Sequence, residues 1–171
     1  MRFIKFGLIS IVLFALLLTA FSLLLPSQTN ISRAIDINAP ADSVYAYINN
    51  ITKWQNWYAN YDSSNTSYSL TTVGKGSSLT MDKTTITIQE ALPGKIKAVW
   101  QTGSNNPIMG EFNFIRKDSS SSMTLQWNFI QKVKWYPWQK LASILSNKTI
   151  GPFMEKSLEN LKKKVESQEE L

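Results

Sequence analysis

The sequence predicts an α+β domain: a curved antiparallel sheet, a long C-terminal helix lying across its apolar face, and an N-terminal transmembrane helix ahead of both. Three observations predict it. Residues 6–25 form an uncharged apolar run, residues 67–130 alternate between apolar and polar positions, and helical spacing returns from about Pro137. With 171 residues, 43% hydrophobic and 18% charged, the chain is long enough for one packed domain and too short for two. We divide it into an anchor and short linker (1–28), a folded domain (29–167) and a polar tail (168–171).

As a helix, "FGLISIVLFALLLTAFSLLL" reaches about 30 Å, the thickness of a bilayer's hydrocarbon. A helix apolar all round needs lipid or a large core, and a chain this short offers no such core. Arg2 and Lys5 would also suit a signal peptide, but no small-x-small cleavage site precedes Pro26, so an anchor is the expectation. Arg33 is the first basic residue after the span, which places the N-terminus on the cytoplasmic side and the domain outside. The expected location is a membrane crossed once.

"PSQTNIS" is the linker. Ile31, Ile35 and Ile37 then recur with period two over residues 30–37, a half-buried strand whose inward register includes Arg33. "NAPADSVYAYINN" follows as a short amphipathic helix, with Pro40 in its first turn and Val44, Tyr47 and Ile48 on one face. Six strands come next: "SYSLT" (67–71), "SSLTM" (77–81), "TITIQE" (85–90), "KIKAVWQT" (95–102), "GEFNFI" (110–115) and "MTLQWNFI" (123–130). Turn chemistry separates them at "GKG", Asp82-Lys83, "LPGK", "GSNNP" and "KDSSSS". Register puts Ile86, Ile88, Ile96, Ala98, Trp100, Phe112, Phe114, Leu125, Trp127 and Phe129 on one face, and Thr87, Lys97, Gln101, Asn113, Gln126 and Asn128 on the other. Leu141, Ile144, Leu145, Phe153, Met154, Ser157, Leu158, Leu161 and Val165 form the stripe of the last helix, which covers the apolar face. Gly151-Pro152 is expected to kink or restart it.

The chain has neither cysteine nor histidine. Disulfides, thiolate nucleophiles, Ser-His triads and Cys- or His-ligated metals are excluded, and no metal or cofactor is expected. The formal net charge is +6, but Lys162, Lys163 and Lys164 are flanked by Glu159 and Glu166, the pattern of a solvated helix face and not of a nucleic-acid site.

The segments "ISRAIDINAPADSVYAYINNITKWQNW", "GKGS", "ITIQEALPGKI" and "IGPFMEKSLENLKKKVE" together resemble the polyketide cyclase/dehydrase branch of the START-like (SRPBCC, helix-grip) superfamily, over about residues 30–167. The matching positions are Ile35, Ile37, Ala39, Pro40 and Val44, then Trp54 and Trp57, then Phe153, Leu158, Leu161 and Lys162. The resemblance implies a seven-stranded sheet gripping the long helix, with an elongated cavity between them that in many members holds a hydrophobic or amphipathic ligand. It does not imply catalysis. The region between "GKGS" and "ITIQE" is shorter than in many relatives and the pocket side lacks histidine, and both departures argue against a cyclase reaction.

The ligand-binding candidates are Trp54, Trp57, Tyr58, Tyr61, Trp100, Phe112, Phe114, Trp127, Phe129 and Arg33. Trp54 and Trp57 either pack as core or frame a cavity entrance. Tyr58 and Tyr61 carry hydroxyls that suit a rim better than a dry interior. The inward rings either fill the domain or leave a slot beside the helix. Arg33 either reaches out at a strand edge or holds an anionic head. Glu90 shares the register of Ile86 and Ile88 at the strand's end, and Glu111 faces water. "KWYPW", with Trp135, Tyr136 and Trp138 beside Lys132 and Lys134, closes the pocket mouth or lies at the membrane surface. The expected partner is a hydrophobic small molecule or lipid. An enzyme using Tyr, Arg33 or Glu90, and a protein-interaction module with a filled interior, are the alternatives.

Overall fold

Inward rings decide the architecture. In the computed structural model, which describes residues 2–116, 122–134 and 136–169 and leaves out the side chains of Arg2, residues 141–146 and Glu169, they lie between a seven-stranded sheet and one long helix. The chain runs α1 (Arg2–Leu24), β1 (Gln28–Ile37), α2 (Ala41–Asn49), a 3-10 turn (Ile51–Asn56), β2 (Thr66–Tyr68), β3 (Ser78–Met81), β4 (Thr84–Leu92), β5 (Lys95–Thr102), β6 (Ile108–Arg116), β7 (Met123–Lys132) and α3 (Pro137–Glu169). The sheet order is β1-β7-β6-β5-β4-β3-β2, antiparallel throughout. Hairpins join β2 to β7 in sequence, while β1 crosses over to pair with β7 along ten positions, Gln28↔Lys132 to Ile37↔Met123. The alternation and the terminal stripe predict a helix lying across an antiparallel sheet, and the family resemblance implies the seven-stranded helix-grip arrangement that is found. Residues 117–121 of the "KDSSSS" turn, Trp135, and the side chains of Leu141, Ile144 and Leu145 lie outside the described residues.

Local chemistry accounts for the elements. In α2, Val44, Tyr47 and Ile48 are buried, Asp42 sits in the first turn where the helix dipole favours a carboxylate, and Pro40 occupies the N-cap position just ahead of the first turn predicted for it. Asn50 ends α2 and caps the 3-10 turn, its Oδ1 accepting from the Thr52 N–H at 3.0 Å. That turn gives three residues per revolution, so Trp54 and Trp57 project to the same side. Asp82, at φ 49°, makes the tight β3–β4 connection.

Two expectations change. The helix α3 runs unbroken through Pro152 without restarting. The pairing of β4 with β5 slips between Ile88 and Glu90, so Glu90 stands opposite Lys97 and leaves the inward register in which strict alternation places it. Such a bulge inserts one residue and turns the next side chain over. Glu90 accordingly ion-pairs with Lys97 on the wet face, at 2.7 Å. Glu111 lies on the outer face of the sheet but is only 19% exposed, where it pairs with Lys95 at 3.1 Å.

Met154, Ser157, Leu158, Leu161 and Val165 are the buried stripe of α3. The Ser157 hydroxyl donates to the Phe153 carbonyl at 2.9 Å and accepts from the Ala59 N–H at 3.1 Å, so it is satisfied and ties the segment after the tryptophans to the helix. At the other end, the Glu166 carboxylate accepts from the Asn38 N–H at 2.8 Å.

Candidate functional site

Eight rings form one contiguous cluster. Trp54 and Trp57 descend from the 3-10 turn onto Trp100 of β5, Phe112 of β6 and Trp127 and Phe129 of β7, with Tyr58 and Phe153 closing the side toward α3. Phe112 and Trp127 stack at 4.9 Å, Trp54 lies 4.8 Å from Trp57, and Trp100 meets Phe129 edge-on at 4.7 Å. Such centroid separations are ring contacts with no space for a guest between them. Gly110 permits the closest approach: a Cβ there would stand 2.2 Å from the Trp100 ring.

The polar atoms of this cluster are unevenly served. The Trp54 indole donates to the Ile48 carbonyl at 2.9 Å, and the Trp100 indole donates to the Tyr58 hydroxyl at 2.9 Å. The indole N–H groups of Trp57 and Trp127 are buried and have no acceptor among the described residues. Tyr58 corrects the expectation of a rim position: it is only 8% exposed, because the Trp100 donor satisfies its hydroxyl inside. Burial pushes its pKa up to about 12, against a smaller opposing effect of that hydrogen bond. Tyr61 is half-buried against the core and borders none of the clefts described below, its hydroxyl 2.7 Å from that of Tyr68.

The other two candidates stand apart. Phe114 packs on Tyr45 at 5.5 Å and borders a cleft of about 150 Å³ with Ala41, Asp42, Pro93, Gly94 and Arg116. Arg33 reaches over α3: Nε donates to the Glu155 carboxylate, Nη1 to the Ser32 carbonyl at 2.8 Å, and Nη2 to Asn147 Oδ1 at 3.0 Å. Edge strand β1 lets the guanidinium leave the sheet, and Gly151 gives it a seat against the helix. Three of its five N–H donors are thus committed to the protein.

Open space lies elsewhere. A cleft of about 390 Å³ opens at the end of the sheet where α1 enters, walled by Trp100, Ile108 and Val133 and rimmed by Thr102, Asn105, Asn106, Gln131, Lys132, Lys134 and Gln139. Trp100 is shared between the ring cluster and this cleft. On the outer face, Val99, Met109 and Ile130 sit opposite one another across β5, β6 and β7 and line a second cleft of about 430 Å³ with Gln89, Pro107 and Lys132.

The α1 end is also basic. Between Asp118 and Glu155 the chain contains no acidic residue and four lysines: Lys132, Lys134, Lys140 and Lys148. Lys140, only 3% exposed, donates to the Leu25 carbonyl at 2.6 Å and to the Ser27 hydroxyl at 3.0 Å, fastening the linker to α3. Sequence reasoning singled out Trp100 and the segment carrying Lys132 and Lys134 but missed the cleft they share, because its other walls come from the 102–108 and 131–139 segments, which no periodicity connects. The acid-free run was the available signal. Among the described residues no carboxylate cluster suited to a metal occurs.

Residues 28–166 match the family described as polyketide cyclase / dehydrase and lipid transport. The chain belongs to this family. Solved structures with the same fold include a protein from Nitrosospira multiformis (13% identity, TM-score 0.65, covering 84% of this chain and all of that one) and a START superfamily protein from Mycobacterium smegmatis (14%, 0.58, 81% and 98%). Norcoclaurine synthase from Thalictrum flavum, solved with dopamine and hydroxybenzaldehyde, is similar at 11% identity, TM-score 0.60, over 82% of this chain and 87% of that one. At these identities the likeness is one of fold. No curated protein sequence matches the chain.

Proposed function

We propose that the protein is a membrane-anchored helix-grip domain that binds a hydrophobic or amphipathic small molecule or lipid. The observation that carries this reading is the cleft of about 390 Å³ beside the end of α1, because Phe3–Leu24 is long and apolar enough to cross a membrane and the cleft opens where that helix meets the domain. Its volume falls in the range of small-molecule sites, and its make-up, an indole and two aliphatic walls under a polar, lysine-bearing rim, suits an amphipathic guest. The family's description, which names lipid transport, supports the ligand class.

Of the ten sequence candidates, Trp100 is the one we assign to direct contact in this cleft. Trp54, Trp57, Tyr58, Phe112, Trp127 and Phe129 pack ring on ring behind Trp100 and do not line the cleft, so a ligand there meets Trp100 and leaves the buried indole donors of Trp57 and Trp127 untouched. Native mass spectrometry of the full chain released from nanodiscs tests the proposal. A co-purifying small molecule, lost on Trp100→Ala, is the expected result; a bare chain throughout, with no thermal stabilisation by any lipid or quinone, overturns it.

A second reading has its own observation. A filled ring cluster on one face of the sheet and the apolar row Val99–Met109–Ile130 on the other, of which Met109 is 40% exposed, fit a tethered module that binds another protein through its outer face. Substituting Met109 with Glu separates the two, since it disturbs that row and leaves the cleft intact. A cyclase or dehydrase reaction draws no such support: Glu90 is paired on the wet face, Arg33 is paired with Glu155, and burial holds the Tyr58 hydroxyl protonated by raising its pKa to about 12.

A further inference from the structure

The α1 end of the domain presents, beside the cleft, a surface of which the ligand reading uses only Lys132 and Lys134. Three residues, Leu25 to Ser27, separate α1 from β1, a connection of at most about 10 Å. It is shortened further by the domain itself: the Val133 N–H donates to the Ser27 carbonyl at 2.9 Å, and Lys140 holds Leu25 and Ser27. The segment that makes these contacts, the β7–α3 connection and the first turn of α3, carries Tyr136 and Trp138, whose rings stack at 5.0 Å and 7°, and Trp138 is 66% exposed, far more than any other indole described. Exposed Lys132 and Lys134 flank it. An amphipathic ring pair beside two ammonium groups and an acid-free segment is the composition that settles at the headgroup layer.

We infer that Lys132, Lys134, Tyr136 and Trp138 form a docking face for an anionic lipid surface, with the ring pair among the headgroups and the lysines on their phosphates. This rests on the reading of α1 as a membrane span. The connection fixes which side of the domain meets the bilayer: with α1 upright, the segment bonded to Leu25 and Ser27 cannot be more than one short linker away from the interface. It also orients the cleft, whose rim shares Lys132 and Lys134, so that its mouth borders the lipid.

The test is residue-resolved hydroxyl-radical footprinting of the full chain in vesicles of phosphatidylcholine alone, in vesicles of equal parts phosphatidylcholine and phosphatidylglycerol, and in detergent micelles, with alkaline carbonate extraction of the same vesicles. Retention after carbonate, with labelling of Trp138 reduced several-fold in phosphatidylglycerol vesicles and restored by Lys132→Glu with Lys134→Glu, is the expected result. Each lysine near an anionic surface changes association about five-fold, so the double substitution is sensitive enough. Retention with Trp138 labelled equally in all three environments overturns the docking face and leaves the span intact. Protection that persists in micelles and grows with protein concentration points to a second copy of the chain and also overturns it. Extraction by carbonate overturns the reading of α1, and this inference falls with it.

Discussion

The ring cluster and the α1 end draw on the same strands and differ in every physical respect. β5, β6 and β7 contribute Trp100, Phe112, Trp127 and Phe129 to an interior in which ring meets ring, and a few residues further along they contribute Thr102, Ile108, Gln131 and Lys132 to an open, basic cleft. The interior is built from alternating strand positions, where each side chain faces another. The cleft is built where strands stop, and loops of different lengths leave a gap. Stability is concentrated in the first region and accessible space in the second, with Trp100 as the wall between them. A ligand confined to the cleft meets a preformed surface, whereas one that reaches Trp57 and Trp127 has to displace packed indoles.

The sharpest way to break that contrast is to truncate a ring. Trp127→Ala is expected to lower unfolding stability by about 3–5 kcal/mol, because Trp127 is fully buried against Phe112, Phe129 and Phe153. Urea denaturation of the detergent-solubilised chain reads it. A loss below about 1 kcal/mol would mean that the interior is loosely filled and that the contrast fails.

The next effect is pH-dependent. The Tyr58 pKa, 10.0 in the unfolded chain, is raised to about 12 in the folded protein, so folding keeps the hydroxyl protonated. That contribution is complete below pH 10 and is lost as pH rises from 10 to 12, amounting to at most about 3 kcal/mol for two units. Tyr58→Phe should flatten the alkaline limb of the stability profile relative to the parent chain. An unchanged limb would return Tyr58 to the rim.

Two glycines give a smaller and more selective comparison. Gly110→Ala thrusts a methyl to 2.2 Å from the Trp100 ring and 3.0 Å from Phe129, with an overpacking cost of about 1–3 kcal/mol and a change in Trp100 fluorescence as the indole tips toward the cleft. Gly151→Ala meets the Arg33 guanidinium at the same 2.2 Å, but that is the end of a flexible side chain, and the helix gains about 1 kcal/mol in propensity. Near-neutral stability is expected there by thermal denaturation. Smallest of all is Glu155→Gln: with Glu155 55% exposed, the Arg33 pair is worth at most about 1 kcal/mol, and high salt should remove most of it.

These two regions also mark what a sequence can disclose. Period two placed Ile86, Trp100, Phe112 and Trp127 inward because a strand has only two faces, and the spacing of Met154, Leu158, Leu161 and Val165 identified the covering helix for the equivalent reason. Glu90 escaped because one inserted residue inverts the parity of all that follows it, and nothing in "TITIQEAL" announces the insertion. Tyr58 escaped because its hydroxyl is satisfied by Trp100, a partner 42 positions away. The cleft was invisible for the same reason of distance, since its walls meet only in three dimensions. Whether the rings would interlock or part was not decided by residue type, as the same aromatics line a slot or fill it according to fractions of an ångström.

The three-residue connection between α1 and β1 carries a consequence for transport. A carrier that ferries cargo between two membranes needs a leash comparable to the gap it crosses, and here the leash is about as long as one headgroup layer is thick. With α1 in a bilayer, as we propose, the domain works at zero altitude: it can lift a molecule from its own leaflet or present one to a neighbour diffusing in the same plane, and any longer journey must be made by another protein.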